Sequence, residues 1–128
     1  MKIIGVGVDI VENKRIRQNL KKKNFLLRIF DKSEIQLSKK EKNKVNFFAK
    51  RFAAKEAFSK SLGSGFKNGL NFKDIVVVNN RFGKPHFNLN NKIKKIIQNK
   101  FNINSAKFLL SLSDEKEYSI AFVIMQKK

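Results

Sequence analysis

The chain of 128 residues has no cysteine, no tryptophan, one proline and only 10 acidic residues. Without cysteine there is no disulfide framework, no thiolate nucleophile and no thiolate zinc site. Its longest apolar run, residues 3–8, is far shorter than the roughly 20 residues that a membrane-spanning helix needs. The N-terminal segment also lacks the pattern of a secretory signal peptide. We therefore expect a soluble, cytoplasmic protein with no membrane association.

What the chain does contain is apolar residues and positive charge. Hydrophobic residues make up 41% of it, with 13 phenylalanines among them, which suits one packed domain over residues 1–128. Lysine and arginine number 29, so the formal net charge is +19, and such a charge attracts nucleic acid, anionic lipid or an acidic protein. Lysine, asparagine, isoleucine and phenylalanine also share A/T-rich codons, so the charge could equally reflect genome composition. Charge alone therefore assigns no function.

The apolar periodicity predicts an α+β fold, with several helices and a small, mostly antiparallel sheet. The most regular helix is residues 44–62, where apolar side chains recur every three or four positions and Gly63 follows as a natural end. Asp31 and Glu34 have the spacing of a helix capping box. Strands are predicted over 3–11, 73–79, 84–89, 106–113 and 118–125, and further helices over 12–23, 25–30 and 90–100.

Asp9 is unusual because it closes an apolar strand. Gly5 and Gly7 share its side of the strand by the two-residue period. A carboxylate that enters a core is costly unless it is paired or metal-bound, and the glycines leave room for a ligand to approach the backbone. Asp9 is therefore a candidate metal ligand. The alternative is that it simply ends the strand and faces water.

A second group of polar residues lies in the central helix. Glu56, Ser59 and Lys60 share one face, and Arg51, Lys55 and Ser59 form an adjacent stripe. A carboxylate, a hydroxyl and cations on one polar surface could hold a metal ion and a phosphate together. The alternative is an ordinary surface Glu–Lys pair, worth a few tenths of a kcal/mol.

Taken together, the two features resemble the two-part signature of the phosphopantetheinyl transferases, most closely the holo-acyl-carrier-protein synthase type. The matching residues are Gly7-Val8-Asp9 and Phe52-xx-Lys55-Glu56-Ala57-xx-Lys60, followed by Gly83-Lys84-Pro85 and a C-terminal hairpin over 111–121. One departure is Asp114, which stands where many members carry histidine. No role of that histidine can be transferred, because imidazole and carboxylate differ in charge at neutral pH.

The resemblance implies a reaction and a set of roles. Such enzymes move the phosphopantetheine arm of coenzyme A onto a serine of apo-acyl carrier protein for fatty acid biosynthesis, release adenosine 3′,5′-bisphosphate and need Mg²⁺. Asp9 and Glu56 would hold the metal, and Glu56 and Lys60 would be catalytic. The general base stays open between Glu56 and an activated water, for which Asp31 is a weaker positioning candidate. Contacts with coenzyme A are expected from Arg51, Lys55, Ser59, Lys84 and Pro85. For Lys84 and Pro85, a plain hairpin turn is the alternative.

The resemblance also implies partners. A basic first helix with Lys14, Arg15 and Lys22 would face the acidic carrier protein, and members of this length are typically homotrimers with active sites between subunits. The rival interpretation is a basic nucleic-acid-binding module, which the charge favours. No zinc-finger spacing, RNP-like motif or helix-turn-helix signature supports it, so we expect no nucleic acid partner.

Overall fold

The computed structural model describes residues 2–67 and 69–128. It confirms the predicted α+β class, and most element bounds fall within one or two residues of the prediction. The first helix is shorter than predicted, and the last strand is two residues longer. In chain order the elements are β1 (Lys2–Glu12), α1 (Asn13–Leu20), α2 (Phe25–Ile29), α3 (Lys32–Ser38), α4 (Lys44–Ser61), a 3₁₀ turn (Phe72–Asp74), β2 (Ile75–Asn79), β3 (Pro85–Leu89), α5 (Asn91–Phe101), β4 (Ala106–Asp114) and β5 (Tyr118–Lys127).

The strands form two antiparallel sheets, where the sequence suggested one. One sheet has the order β1-β5-β4, and the other is the β2–β3 hairpin alone. The hairpin joins the core through side chains: the Phe87 ring lies 4.9 Å from that of Phe58 and 6.1 Å from that of Phe108. Aromatic packing of this kind positions the hairpin beside β4 without extending the larger sheet.

Helix α4 packs on the inner face of the larger sheet, and the two glycines of β1 set how closely. A β-carbon built on Gly7 would lie 1.8 Å from the carbonyl oxygen of Ala57, and one on Gly5 would lie 2.0 Å from that of Ser61. The helix backbone therefore occupies the space that the glycines leave. This corrects the interpretation that these glycines make room for a ligand.

The outer face of the larger sheet is apolar and exposed. Val8 is opposite Phe122, and Ile10 is opposite Ile120, in the β1–β5 register. All four side chains are between 39% and 59% exposed, and so is that of Val6 nearby. A contiguous apolar patch of this kind marks an interaction surface and not an ordinary solvated face.

Candidate active site

Asp9 lies within β1, on the side of the strand that faces α4. Its side chain is only 16% exposed, and the Lys60 ammonium donates to Asp9 Oδ1 at 3.1 Å and to the Val8 carbonyl at 3.0 Å. The strand continues to Glu12. The alternative in which Asp9 merely ends the strand and faces water is therefore wrong.

Glu56 is half-buried on α4, close enough to Asp9 for the two charges to interact. Burial raises the pKa of Glu56, and the Asp9 carboxylate raises it further, while Lys60 and Arg15 lower it. Within the described residues Lys60 forms an ion pair with Asp9 and not with Glu56. The alternative of an ordinary surface Glu56–Lys60 ion pair is therefore wrong. The fold thus brings Asp9, Glu56 and Lys60 together at one place.

This donor set fits Mg²⁺. The ion prefers one or two carboxylates, completed by water and substrate phosphates, over a cage made only of protein. Asp9 and Glu56 supply two carboxylates whose mutual repulsion a divalent cation would relieve. No group of three or more metal-ligating side chains occurs in residues 2–67 and 69–128. A magnesium ion held here would therefore take its further ligands from water and substrate phosphates.

Lys55 and Ser59 lie inside the protein, whereas the sequence suggested a polar surface stripe. The Lys55 ammonium donates to Glu34 Oε1 (2.8 Å) and to the carbonyls of Phe72 (2.9 Å) and Ile75 (2.6 Å), so its three N–H donors are occupied. Burial lowers the pKa of Lys55, and the Glu34 charge opposes that effect. Ser59 Oγ donates to the Glu56 carbonyl. Direct contact of Lys55 with coenzyme A remains a prediction, and in this arrangement the ammonium would have to leave its acceptors.

A second cluster lies around Arg51, which is 3% exposed. Its Nη2 donates to Asn79 Oδ1 at 3.1 Å, and its guanidinium carbon lies 3.9 Å from the centre of the Phe47 ring. Arg51 Nε is buried and has no hydrogen-bond partner among the residues that the structure describes. Burial lowers the Arg51 pKa. Arg51 lines a cavity of about 390 Å³ together with Lys50, Asn79, Gly83, Lys84 and Pro85. The Glu41 carboxylate also lines the cavity, so a guanidinium and two lysines outnumber one acidic group there. A cavity with this excess of positive charge suits a phosphate group.

The two clusters lie at opposite edges of the larger sheet. Asp9 is on β1, whereas the Arg51 cavity is lined by Leu110 to Leu112 of β4, and β5 lies between these strands. On α4, Arg51 and Glu56 are five residues apart, which places them about 140° apart around the helix axis. One chain therefore does not bring the two clusters into a single pocket.

Helix α1 borders the first cluster. Lys14 and Arg15 lie on α1 and are exposed. The sequence predicts Lys22 on the same helix, but α1 ends at Leu20 and Lys22 is exposed in the turn that follows. The Arg15 guanidinium carbon lies 5.9 Å from the centre of the Phe52 ring, one helical turn before Glu56. The predicted partner surface therefore lies next to the predicted reaction site.

Three other residues of interest have structural contacts. Asp31 and Glu34 form the predicted capping box of α3. Asp114 ends β4 and accepts a hydrogen bond from Asn46 (2.8 Å) and an ion pair from Lys50 (3.3 Å). Sequence analysis did not predict that Glu34 also forms an ion pair with Lys55. Only its capping-box spacing marked it, and nothing local connects two residues 21 positions apart.

Comparisons with known proteins identify the family of the chain. Residues 5–123 match the family described as ACPS, the 4′-phosphopantetheinyl transferase superfamily. A holo-[acyl-carrier-protein] synthase of Pelagibacter ubique (strain HTCC1062) is 60% identical over 128 residues, the full length of both chains. The crystal structure of holo-[acyl-carrier-protein] synthase from Neisseria meningitidis superposes with a TM-score of 0.86 at 38% identity, covering 98% of this chain and 99% of that one. A holo-(acyl-carrier-protein) synthase from Bacillus anthracis str. Ames, solved in complex with CoA (3′,5′-ADP), gives 0.82 at 33% identity over the whole of both chains.

The family match over residues 5–123 defines a transferase: the chain belongs to the 4′-phosphopantetheinyl transferase superfamily. Within that superfamily it is an enzyme of the holo-[acyl-carrier-protein] synthase type. These similarities favour the transferase over a basic nucleic-acid-binding module. No helix among the described residues is long and apolar enough to cross a membrane.

Proposed function

We propose that this protein moves the phosphopantetheine arm of coenzyme A to a serine of apo-acyl carrier protein in a Mg²⁺-dependent reaction in the cytoplasm. The products are holo-acyl carrier protein, which serves fatty acid biosynthesis, and adenosine 3′,5′-bisphosphate. The main support for the proposal is that Asp9 of β1 lies together with Glu56 and Lys60 of α4. The relatives of the chain are synthases of this kind.

Each residue of the first cluster has a distinct task. Asp9 and Glu56 hold Mg²⁺, which when bound neutralises charge on the coenzyme A pyrophosphate. Lys60 is exposed and already beside Asp9, so its ammonium can hold a phosphoryl oxygen as charge shifts during transfer. The nucleophile is the partner's serine, which explains why the chain needs no Ser–His pair. Glu56, directly or through a water, is the candidate for accepting the serine proton.

The nucleotide end of coenzyme A fits the second cluster. The Arg51 guanidinium lines its cavity, and Lys50 and Lys84 line it as well, beside Pro85. The two lysine ammonium groups can donate charge-assisted hydrogen bonds to phosphate oxygens there. The relative from Bacillus anthracis was solved with CoA (3′,5′-ADP), which supports a coenzyme A site in this fold.

A homotrimer would join the two clusters across a subunit boundary. The clusters lie at opposite edges of one sheet, so a head-to-tail contact sets the Asp9 edge of one subunit beside the Arg51 edge of the next. Contacts of this type close into a ring when the rotation permits. The exposed apolar face around Val8 and Phe122 supplies the surface to be buried.

Acyl carrier protein would dock on α1. Lys14 and Arg15 of α1 and Lys22 in the turn after it are exposed, and the Arg15 charge acts on Glu56 of the reaction site. Acidic partners are steered to such a surface, with a stronger effect on the encounter rate than on affinity.

One experiment tests the transfer itself. The protein is incubated with coenzyme A, Mg²⁺ and apo-acyl carrier protein, and the carrier's intact mass is measured. A mass increase of one phosphopantetheine that needs Mg²⁺, and that Asp9→Ala abolishes, supports the proposal. An unchanged carrier mass with a folded enzyme contradicts it.

Light scattering on the wild type and on Phe122→Glu tests the trimer. We expect the wild type to be a trimer and the variant to have lost it.

A further inference from the structure

Glu34 and Lys55 form a fully buried ion pair whose other hydrogen bonds all go to the backbone. Both side chains are 0% exposed. Beyond the pair, Lys55 Nζ donates to the carbonyls of Phe72 and Ile75. The Glu34 carboxylate accepts from the amides of Asp31 and Val77. The pair therefore ties four backbone groups together.

These backbone groups belong to segments that are distant in sequence. Asp31 begins α3, Phe72 lies in the 3₁₀ turn, and Ile75 and Val77 lie in β2. Lys55 itself is on α4, directly before Glu56. The pair thus holds α3, the 3₁₀ turn and β2 against the helix that carries two of the proposed catalytic residues.

The Phe72 side chain connects the ion pair to residues near the proposed site. Its ring stacks on that of Phe52 at 5.4 Å and on that of Phe66 at 3.9 Å. Phe52 lies one turn before Glu56 on α4, and Phe66 lies in the connection that follows α4. We call that connection, residues 62–67 and 69–71, the post-helix loop. Its first end leaves α4 at Leu62, and its second end is fixed to α4 through the Lys55–Phe72 bond.

We propose that Lys55 and Glu34 are positioning residues, which hold the post-helix loop and Phe72 beside the face of α4 that presents Glu56 and Lys60. The inference rests on the proposed function, because it assigns the loop to the wall of the coenzyme A site. Lys55 then acts on coenzyme A through Phe72 and the loop, without touching it. A fixed wall matters because small misplacements of a binding surface are costly to catalysis.

The backbone partners distinguish this role from that of an ordinary buried ion pair. Replacing a simple buried pair by apolar residues of similar volume is often neutral or stabilising. Here the same replacement removes the partners of the Ile75 carbonyl and of the Asp31 and Val77 amides. The Phe72 carbonyl keeps only its bond from the Ile75 amide within the 3₁₀ turn, so its link to α4 is lost. Removing both charges should therefore relieve the buried charge without restoring the attachment of the loop.

The test compares Glu34→Met, Lys55→Met and the double variant Glu34→Met/Lys55→Met with the wild type. We expect each to raise the KM for coenzyme A at least about tenfold. The kcat at saturating coenzyme A and the KM for the carrier protein should change much less. Hydrogen exchange should speed up in residues 62–67 and 69–77 but not in β1 and β5. The double variant should regain thermal stability relative to Lys55→Met while its KM for coenzyme A stays high.

The control is Lys92→Met. Lys92 forms an exposed ion pair with Asp74, which belongs to the same 3₁₀ turn as Phe72, and the substitution removes that pair. It should leave both KM values unchanged. Two outcomes overturn the inference. If Lys55→Met raises the KM for coenzyme A but Glu34→Met, which removes every acceptor of the Glu34 side chain, does not, Lys55 contacts the substrate itself. If the double variant restores both stability and KM, the pair is only structural.

Two further measurements keep the test decisive. If the variants do not fold, hydrogen exchange of the wild type with and without coenzyme A replaces them. Protection of residues 62–67 and 69–71 that rises with coenzyme A supports the inference, and fast exchange of these residues at saturation contradicts it. Failure of the proposed function looks different: the wild type then transfers nothing to the carrier protein.

Discussion

Gly7 of β1 and Ala57 of α4 meet backbone to backbone: a β-carbon at Gly7 would lie 1.8 Å from the Ala57 carbonyl oxygen. This contact sets the distance between strand and helix. Asp9 is two residues further along β1, on the same side, and therefore faces the turn of α4 that presents Glu56 and Lys60. This close backbone contact thus lies beside the site.

Gly7→Ala should damage both the fold and the activity. The added methyl meets backbone, which has no rotamer to adopt, so α4 must shift; overpacking of this kind costs about 1–3 kcal/mol or more. Urea unfolding and the carrier-protein mass assay measure the two effects. Lys2→Ala, at the exposed start of the same strand, is the control and should change neither. Wild-type stability of Gly7→Ala would contradict the close contact.

Asp9→Ala and Glu56→Ala should each nearly abolish transfer while the fold remains intact. Loss of one of two carboxylates leaves Mg²⁺ held mainly by substrate and water. Glu56→Gln should fail as well, because an amide oxygen carries no charge. Turnover is measured across a Mg²⁺ titration, with Asp74→Asn, outside the site, as control. Wild-type turnover of either alanine variant at low Mg²⁺ would remove the metal assignment.

Asp31 should stabilise the protein only where it is ionised. Hydrogen bonds from the Ser33 hydroxyl and amide hold the pKa of Asp31 below its usual value. A carboxylate with a lowered folded pKa contributes stability above its unfolded pKa and loses it as the pH falls through the folded pKa. Asp31→Ala should cost about 1 kcal/mol at neutral pH, and the difference should shrink in acid. Denaturant titrations of both proteins between neutral and acid pH measure this. A difference independent of pH would contradict it.

Lys60→Ala should lower turnover more than it weakens coenzyme A binding. A cation beside the transferring phosphoryl group contributes most when charge shifts in the transition state. Calorimetric affinity for coenzyme A and the maximal transfer rate separate the two effects. Lys100→Ala, an exposed lysine on α5, is the control. If only the affinity falls and the maximal rate is unchanged, Lys60 binds the ground state.

Reversing Arg15 and Lys22 to Glu should raise the carrier-protein KM several-fold and hardly change affinity for coenzyme A. Both side chains are exposed on the proposed docking surface. The defect should shrink in high salt, where exposed charges are screened within about 3 Å at 1 M. Steady-state titrations at two ionic strengths provide the measurement. A carrier-protein KM that does not change at low salt would contradict the docking proposal. Size-exclusion chromatography of the variant is the control for loss of assembly.

The sequence was sufficient where one local pattern decides the outcome. The capping box of Asp31 and Glu34, the helix that ends before Gly63 and the shared face of Gly7 and Asp9 all follow from spacing along a single element. The family signature likewise lies in short motifs. These are properties of two-residue and 3.6-residue periods, which need no knowledge of neighbouring elements.

Contacts between elements could not be obtained in this way. Helical spacing showed that Arg51, Lys55 and Ser59 share a stripe, and their polarity suggested solvent. Only the packing of α3, the 3₁₀ turn and β2 against α4 decides that this stripe is buried, and that Lys55 meets Glu34 there. The same holds for the pairing of Lys60 with Asp9 and for the separation of the Arg51 cavity from that site. Sequence determines which face of an element a residue occupies, whereas what covers that face is a long-range property of the folded chain.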